Sequence, residues 1–471
     1  MSSIIEFLTG PLYDFAWLYT FLPFAIFGGL FLTIRNRGIQ FTRFGYAMKN
    51  TVGKIFDKKE AGHGAVTPFQ AVTTALAATV GTGNIVGTSQ AIAMGGYGAI
   101  FWLWIAALVG MITKYCEVVL SIKYRERDEK GDWVGGPMYY IEKGMGKKWR
   151  WLAAVFSIFA IFASFGIGNM SQVNSITGSV VNAISTFNPL SSESVNIVEW
   201  ILAIGIAVLV AIIIIGGIKR IGSVTEKLVP FMSVFYIIFT LIVIGSHAGN
   251  LGNVFKLIFS TAFTPQAVFG ASTGIILKET IVWGLKRSAF SNEAGLGSAA
   301  IAHAAAETDG PVQQGLFGIF EVFMDTLVIC TLTALTIICS GVEIGFGTKP
   351  GSELITAALA TVFGAKFASL FVAIALMLFA LSTVLGWSLY GARCVQYLFG
   401  IKAIRIYQVI FIAIIVVGCV SPIDVVWDIA DTFNGLMAIP NFIGVLALSG
   451  VVAKLTKSYF FGPNAPANRK K

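Results

Sequence analysis

Stretches of apolar residues long enough to cross a bilayer recur along the whole chain. A transmembrane helix needs about 20 apolar residues. The sequence offers eleven such spans, near residues 15–34, 67–96, 99–122, 149–181, 197–218, 226–246, 272–304, 312–339, 366–398, 404–420 and 424–454. Only 12% of the residues are charged, whereas soluble domains carry about 25%. We therefore expect an all-α, multi-pass membrane protein.

Lysine and arginine are concentrated on one side of this topology. The basic stretches follow the first, third, fifth, ninth and eleventh spans, and they include Arg35, Arg37, Lys123, Arg125, Lys219, Arg220, Lys227, Lys402, Arg405, Lys454 and Lys457. Because basic loops stay in the cytoplasm, we predict a plasma-membrane protein with an external N-terminus and a cytoplasmic C-terminus. The first apolar run lacks a basic leader and a small-residue cleavage site, so we expect it to remain as a span.

The second span is longer than one crossing requires, and its middle falls in the glycine cluster VGTGNIVG at residues 80–87. The glycine spacing is GxGxxxG and no carboxylate follows until Glu117, which excludes a dinucleotide-binding fingerprint. The seventh span also has a polar middle, near Ser288 in the segment SAFSNEAGLGS. We predict that both helices break at the middle of the membrane.

The two predicted breaks lie five spans apart, so the helices that carry them cross the membrane in opposite directions. Spans 2–6 and 7–11 can then form two inverted five-helix repeats, as in secondary transporters. The predicted regions are an N-terminal helix and loop at 1–60, a first repeat at 61–250, a second repeat at 251–460 and a cytoplasmic tail at 461–471.

A broken helix leaves amide and carbonyl groups without helical partners, which is costly in hydrocarbon. The amides at the start of a half-helix favour an anion, and freed carbonyls favour a cation. Glycine allows the backbone itself to approach the ligand. The break therefore suits a zwitterion bound beside an alkali ion.

The segments GTGNIVG, GGPMYYIEKG, KRSAFSNEAGLGSAAIAHAAAETDGP and above all GGYGAIFWLWIAALVGMIT at residues 95–113 resemble the alanine or glycine:cation symporter family. One position departs from the family pattern, since Leu103 stands where methionine is usual. The resemblance implies sodium-coupled uptake of small neutral amino acids on a leucine-transporter-type fold with one additional N-terminal span. It implies sodium as the coupling ion and no other cofactor.

The same resemblance implies a substrate site at the first break. There the main-chain amides that match Thr82 and Gly83 would hold the substrate carboxylate. The candidates from all contributing spans are Gly81, Thr82, Gly83, Phe165, Gly166, Asn169, Gln172, Ser288, Phe290, Ser291 and Trp387. Gly166, Asn169 and Gln172 recur three residues apart and would share one face, although hydrogen bonding between helices is an equal explanation. Trp387 is expected to form an apolar wall.

Two sodium sites are implied in the same way. The first would use the Asn84 side chain and the Thr79 carbonyl. The second would use the hydroxyls of Ser382 and Thr383, with the carbonyls of Ala77, Val80 and Phe379. Oxygen ligands suit a hard cation. Alternatively, the two hydroxyls only bond carbonyls one turn back in their own helix.

Charged residues inside the predicted spans are costly and are candidates for function. We expect Arg287 to pair with Glu293 across the second break. Glu321 and Asp325 would share one face of the eighth span, and Asp428 and Asp431 are expected to be solvated near the outer end of the last span.

Competing functions are a proton-coupled carrier that uses Glu293, Glu321 or Asp325, a channel and an intramembrane enzyme. The first broken span carries no ionisable residue, which favours sodium over proton coupling. The sequence shows neither a symmetric filter motif or charge ring nor a nucleophile with its base, and the five cysteines have no metal-binding spacing. The basic stretches are explained by topology, so no nucleic-acid partner is expected; the expected partners are the amino acid, sodium and the bilayer.

Overall fold

Apolar helices form most of the described protein. The computed structural model describes residues 6–7, 9–54, 65–264, 277–421, 423–462 and 465, and for 54 and 423–430 the backbone alone. The predictions that concern the start of the seventh span, the Asp428 side chain and most of the tail at 461–471 lie outside these residues.

The described helices and strands follow one another along the chain in this order. The helices are α1 (Pro11–Arg35), α2 (Phe44–Thr51), α3 (Pro68–Thr79), α4 (Thr88–Gly95), α5 (Ala99–Tyr124), α6 (Pro137–Met145), α7 (Lys147–Phe187), α8 (Ser192–Ile214), α9 (Gly217–Ser246), α10 (Leu251–Thr261), α11 (Leu277–Asn292), α12 (Ala299–His303), α13 (Pro311–Ser340), α14 (Glu353–Phe363), α15 (Ala365–Phe399), α16 (Ile401–Val420), α17 (Ile423–Ala447) and α18 (Ser449–Phe461). Single helical turns lie at Ile39–Thr42, Val52–Lys54 and Ala248–Asn250. Strands β1 (Glu126–Arg127) and β2 (Trp133–Val134) form an antiparallel hairpin between α5 and α6.

Within the described residues, eight helices are long and apolar enough to cross a membrane: α1, α5, α7, α8, α9, α13, α15 and α16. They correspond to the predicted spans 1, 3 to 6 and 8 to 10. The predicted spans 2 and 7 are divided into the shorter helices α3 with α4 and α11 with α12. The last predicted span corresponds to α17, and the chain turns by 56° where α17 meets α18.

The helix α9 begins earlier than the sequence predicts. Only a two-residue turn separates α8 from α9, so Lys219, Arg220 and Lys227 lie on the first turns of α9 rather than in a loop. Lys219 and Arg220 are exposed. Long basic side chains can extend to the interface from a helix end, which lets the helix continue where composition alone suggests a loop.

The first break lies where the glycine cluster predicts it. Thr67 starts α3 with a capping box that includes Gln70, and Pro68 occupies the first turn. The helix ends at Thr79, because Val80 leaves the helical region with φ −77° and ψ 89°. A π-helical turn at Gly83–Gly87 then leads into α4. The predicted break of the second span is confirmed.

The second break lies within the predicted segment, several residues after its expected midpoint at Ser288. Helix α11 continues through Ser288 to Asn292, so the break lies within the predicted segment SAFSNEAGLGS but after its expected midpoint near Ser288. The chain leaves the helix at Glu293, Gly295 and Gly297, which have positive φ of 56°, 91° and 77°. The prediction placed the break at the middle of an apolar stretch, whereas left-handed backbone conformations, which glycine adopts freely, decide where this helix ends.

We predict that Gly295→Ala lowers the melting temperature of the detergent-solubilised protein. Its φ of 91° costs an L-residue roughly 1–2 kcal/mol, and the added Cβ would lie 2.4 Å from Phe442 Cζ. Gly178→Ala on the exposed face of α7 is the matched control, because its Cβ would meet no atom within 4 Å. An unchanged melting temperature of Gly295→Ala would contradict the observed backbone at the second break.

Candidate functional site

The end of α3 leaves one carbonyl available for contacts outside its own helix. In a continuous helix the Gly81 amide would bond the Ala77 carbonyl. The Gly81 amide instead donates to Asn84 Oδ1 at 2.9 Å. The Ala77 carbonyl therefore accepts hydrogen bonds from another helix.

The donors to this carbonyl are the two hydroxyls predicted for the second sodium site. Ser382 Oγ and Thr383 Oγ1, both on α15, each lie 3.1 Å from the Ala77 carbonyl oxygen. They lie 2.8 and 3.1 Å from the Phe379 carbonyl. The hydrogen bonds to the Phe379 carbonyl lie within α15, as expected if the two hydroxyls only bond their own helix. The hydrogen bonds to the Ala77 carbonyl join α15 to α3, and that explanation does not account for them. Four of the five predicted oxygens thus converge, and the fifth residue, Val80, adjoins them at the end of α3.

A carboxylate completes the surroundings of the first predicted sodium site. Asn84 Nδ2 donates to Asp325 Oδ1 at 2.7 Å. Ser291 Oγ of α11 and Thr326 Oγ1 donate to the other oxygen, Oδ2, at 2.8 and 2.7 Å. Asp325 is fully buried in a π-helical segment of α13. The predicted partner Thr79 contributes its side chain to the Ala75 carbonyl of its own helix.

Asp325 changes the argument for sodium made from the sequence. The first broken span has no ionisable residue of its own, but α13 places a carboxylate directly against it. Absence of an acid from the span therefore does not exclude proton coupling at this site. The sequence signal for Asp325 was its position one turn after Glu321 in an apolar helix, and it gave no indication of which break the carboxylate would reach.

Three helices close around the first break. The Thr82 amide donates to Gln172 Oε1 of α7 at 3.2 Å. A Cβ on Gly81 would lie 2.3 Å from Thr383 Oγ1 of α15 and 3.0 Å from Gln172 Oε1. A Cβ on Gly83 would lie 3.0 Å from the Cα of Ser291 on α11. Close approach therefore excludes an unshifted Cβ at Gly81 and leaves little space for one at Gly83.

Phe290 also lies beside the glycines of the first break, whereas the substrate candidates Phe165, Asn169 and Ser288 contact other parts of the protein. The ring of Phe290 would lie 3.1 Å from a Cβ on Gly83. Phe165 stacks on Tyr407 at 5.5 Å, and Asn169 Nδ2 donates to a carbonyl of α16 at 2.7 Å. Ser288 faces α1 and α5 across a cavity of about 20 Å³.

The predicted common face of Gly166, Asn169 and Gln172 is divided by the local helix geometry. A π-helical turn occupies Gly166–Met170, and its wider winding alters which residues stack on one face. Asn169 therefore contacts α16 while Gln172 reaches Thr82 at the first break.

Trp387 connects α15 to the second break through a polar contact. Its Nε1 donates to Glu293 Oε1 at 2.7 Å. Its side chain packs so closely on α7 that a Cβ on Gly168 would lie 2.2 Å from Trp387 Cβ. The contacts of this tryptophan include an acid as well as the apolar surface that the sequence predicts.

The second break is filled by side chains of the protein itself. Glu117 Oε1 accepts from the Gly295 amide at 3.0 Å, and Asn441 Nδ2 donates to the Gly295 carbonyl at 2.8 Å and to Glu117 at 2.6 Å. Sequence reasoning missed these partners because they come from α5 and α17, far away along the chain.

A buried ionic group lies beside this break. Lys114 of α5 contacts Glu321 of α13 at 3.0 Å, and His303 Nε2 contacts the other Glu321 oxygen at 3.1 Å. Gln314 bonds the second nitrogen of His303 at 2.9 Å. Glu321 and Asp325 therefore have different partners: Glu321 contacts Lys114 and His303, whereas Asp325 bonds Asn84 and Ser291 of the two broken spans.

The charged residues of α11 and α17 pair differently from the sequence prediction. Arg287 lies 3.6 Å from Asp431, which also pairs with Lys286, whereas Glu293 bonds Ser298 and Trp387. Asp431 is fully buried, so the prediction that it is solvated is wrong. The reason lies in α1, whose Trp17 covers α17 and donates to the Asp431 carbonyl at 2.8 Å.

Comparison with known proteins gives consistent matches over the whole chain. The family model described as sodium:alanine symporter family matches residues 1–469. The chain is 44% identical over 459 residues to the sodium/alanine symporter AgcS of Methanococcus maripaludis, covering 96% of each protein. It is 39% identical over 462 residues to the amino-acid carrier protein AlsT of Bacillus subtilis, covering 98% of this chain and 93% of that protein.

A solved structure shares the fold. The crystal structure of MhsT in complex with L-phenylalanine matches with a TM-score of 0.58, covering 84% of this chain and 99% of that chain at 12% identity. The match confirms the predicted fold class, an all-α fold of the leucine-transporter type.

Proposed function

The chain belongs to the sodium:alanine symporter family, and we propose that it carries small neutral amino acids, alanine or glycine, together with sodium by alternating access. Membership over residues 1–469 makes the chain a sodium-coupled amino-acid transporter of the membrane and not an enzyme. The choice of substrate and the residues that hold it are the proposal.

One buried hydroxyl at the first break carries the proposed substrate site. Thr82 is fully buried, and its Oγ1 has no hydrogen-bond partner among the described residues. An unpaired buried polar group costs about 1–3 kcal/mol, and a substrate carboxylate would accept its hydrogen bond. The amides of Thr82 and Gly83 stand at the start of the turn that leads into α4, where a helix favours negative charge.

The closeness of the walls supports a small substrate. A Cβ on Gly81 would overlap Thr383, and a Cβ on Gly83 would be tightly packed against Ser291 and Phe290. A site bounded so closely accepts the hydrogen or methyl of glycine or alanine more readily than a branched side chain. Gln172 Oε1, which holds the Thr82 amide at 3.2 Å, would release that amide to the substrate.

Two sets of oxygens support the proposed coupling to sodium. The carbonyls of Ala77 and Phe379 with the hydroxyls of Ser382 and Thr383 offer neutral oxygens, which suit a hard cation. At the first site, with Asn84 and Thr79, the carboxylate of Asp325 supplies the balancing negative charge.

The arrangement of the breaks supports alternating access by two repeats, at 61–250 and 251–460. Asp325 bonds Asn84 after the first break and Ser291 before the second. Binding of a cation there would alter contacts of both broken spans together. The basic ends of α5, α9, α16 and α18 support an orientation with these ends in the cytoplasm and the N-terminus outside.

Proton coupling is the second candidate, because Asp325 is a carboxylate in contact with the first broken span. A proton carrier would be driven by acid outside with sodium absent, and a sodium carrier would not. We propose the sodium carrier because the oxygens of Ala77, Phe379, Ser382 and Thr383 are carbonyls and hydroxyls. Such neutral oxygens can bind sodium but do not exchange a proton near neutral pH.

We predict that Ser382→Ala with Thr383→Ala raises the sodium concentration for half-maximal alanine uptake by at least about tenfold, since even groups that only support a metal ligand contribute roughly this much to affinity. Uptake into vesicles at varied sodium concentration measures it. Ser388→Ala is the control, because its hydroxyl on the same helix bonds only the Leu385 carbonyl at 2.7 Å among the described residues. Unchanged sodium dependence in the double variant would rule out this site.

We predict that Asp325→Asn also raises the sodium concentration for half-maximal alanine uptake. The neutral amide keeps the shape of the side chain but removes the negative charge that balances the ion. The wild type should accumulate alanine with a sodium gradient at equal pH. Acid outside in sodium-free buffer should drive no accumulation. Acid-driven accumulation by the wild type that Asp325→Asn abolishes would instead establish the proton carrier.

We predict that Gly83→Val abolishes alanine binding in a folded protein, because the added side chain would meet Ser291 and Phe290. Isothermal titration with alanine measures the loss. Gly205→Val is the control, since its Cβ would meet no atom within 4 Å. Alaninamide, which lacks the carboxylate, should compete poorly with alanine in the wild type. Tight competition by alaninamide, or wild-type affinity of Gly83→Val, would contradict a carboxylate at the break.

A further inference from the structure

Four basic side chains surround one cavity at the basic end of α1. The cavity has a volume of about 300 Å³ and lies between the end of α1 and helix α18. Arg35 and Arg37 line it on one side, and Lys454 and Lys457 line it on the other. The transport mechanism uses none of these residues.

The charge of this cavity is not balanced by the described part of the protein. No carboxylate is among its described lining residues, and none of the four cations forms an ion pair with a described acid. The sequence after Phe461 adds Arg469, Lys470 and Lys471 without any Asp or Glu. Like charges grouped in this way repel one another unless an anion lies between them.

The backbone adopts an uncommon conformation that brings one of the four to the cavity. Arg37 has φ 60°, a left-handed conformation that is costly for residues other than glycine and usually occupied by glycine after a helix. Its guanidinium lies 4.9 Å from the centre of the Phe461 ring of α18. Glycine would be sufficient to form this turn. The arginine at this position therefore adds a positive charge to the cavity.

Apolar side chains continue from the basic cavity along α1. Phe27, Leu30, Phe31 and Ile34 are all exposed, Ile34 to 80%. The guanidinium of Arg35 lies 5.4 Å from the Phe31 ring, where basic and apolar surfaces meet. A free anion would use only the basic part of this surface, whereas a phospholipid would use both parts.

We propose that this cavity binds the headgroup of an anionic phospholipid, such as phosphatidylglycerol, with its acyl chains along the exposed face of α1. The phosphate lies among Arg35, Arg37, Lys454 and Lys457. The lipid belongs to the leaflet that faces the basic loops, and it joins the additional N-terminal span to the C-terminal helix.

Native mass spectrometry of the full chain in detergent tests this site, with titration of phosphatidylglycerol or phosphatidylcholine. We expect phosphatidylglycerol to bind at least about tenfold more tightly, because each basic group near an anionic lipid surface contributes several-fold. The variant Arg35→Gln, Arg37→Gln, Lys454→Gln, Lys457→Gln should lose this preference. The pair Lys454→Gln, Lys457→Gln, on exposed positions of α18, should lose part of it and serves if the fourfold variant does not fold.

The matched control is Lys147→Gln, Lys148→Gln, Lys219→Gln, Arg220→Gln, which removes the same charge from exposed positions on the same side and should keep the preference. Equal binding of phosphatidylcholine, or unchanged phosphatidylglycerol affinity in the folded variants, would overturn the proposal. Displacement of the lipid by inorganic phosphate, or by a polyglutamate peptide, would assign the cavity to a free anion or to an acidic protein segment instead.

Discussion

Two interruptions of helical hydrogen bonding inside the membrane govern the arrangement of this protein. Hydrocarbon offers no partner for a free amide or carbonyl, so each interruption must be satisfied from within. At the second break, Glu117 and Asn441 bond the amide and carbonyl of Gly295. At the first break, the Ala77 carbonyl meets two hydroxyls and the Thr82 hydroxyl has no described partner. The backbone groups of Gly295 at the second break are thus bonded by the protein, and the first break is suited to a ligand.

Buried charges then hold the helices around these breaks. Lys114 with Glu321 joins α5 to α13, and Lys286 with Asp431 joins α11 to α17. A buried pair is strongly destabilising to separate, because removal of one partner leaves an uncompensated charge. These pairs fix the positions of the helices that flank each break. Asp325 differs, since its described contacts are all to neutral groups, which leaves its charge available to balance a cation.

Several features of the site followed from local sequence. The glycine cluster at residues 80–87 predicted a break at the position where α3 ends. The family resemblance, rather than local sequence, implied that the hydroxyls of Ser382 and Thr383 lie beside Ala77, and they do. The residue at which α11 ends did not follow from the midpoint of the span, because the chain leaves the helix at Glu293, Gly295 and Gly297, which have left-handed conformations. Asp431 was misjudged because α1 covers it.

The sequence by itself determined the class of protein. The length of an apolar stretch and the charge of a loop are properties of local composition, and they decide which segments can cross a bilayer. Its motifs also identified the family. Only the tertiary structure decided which polar groups meet: Asp325 with Asn84, separated by 241 residues, and Glu117 with Asn441, separated by 324. Periodicity specifies which face of a helix is buried but not which neighbour it buries against. The partners of a broken helix are therefore set by the packing of distant spans, and they cannot be read from the break alone.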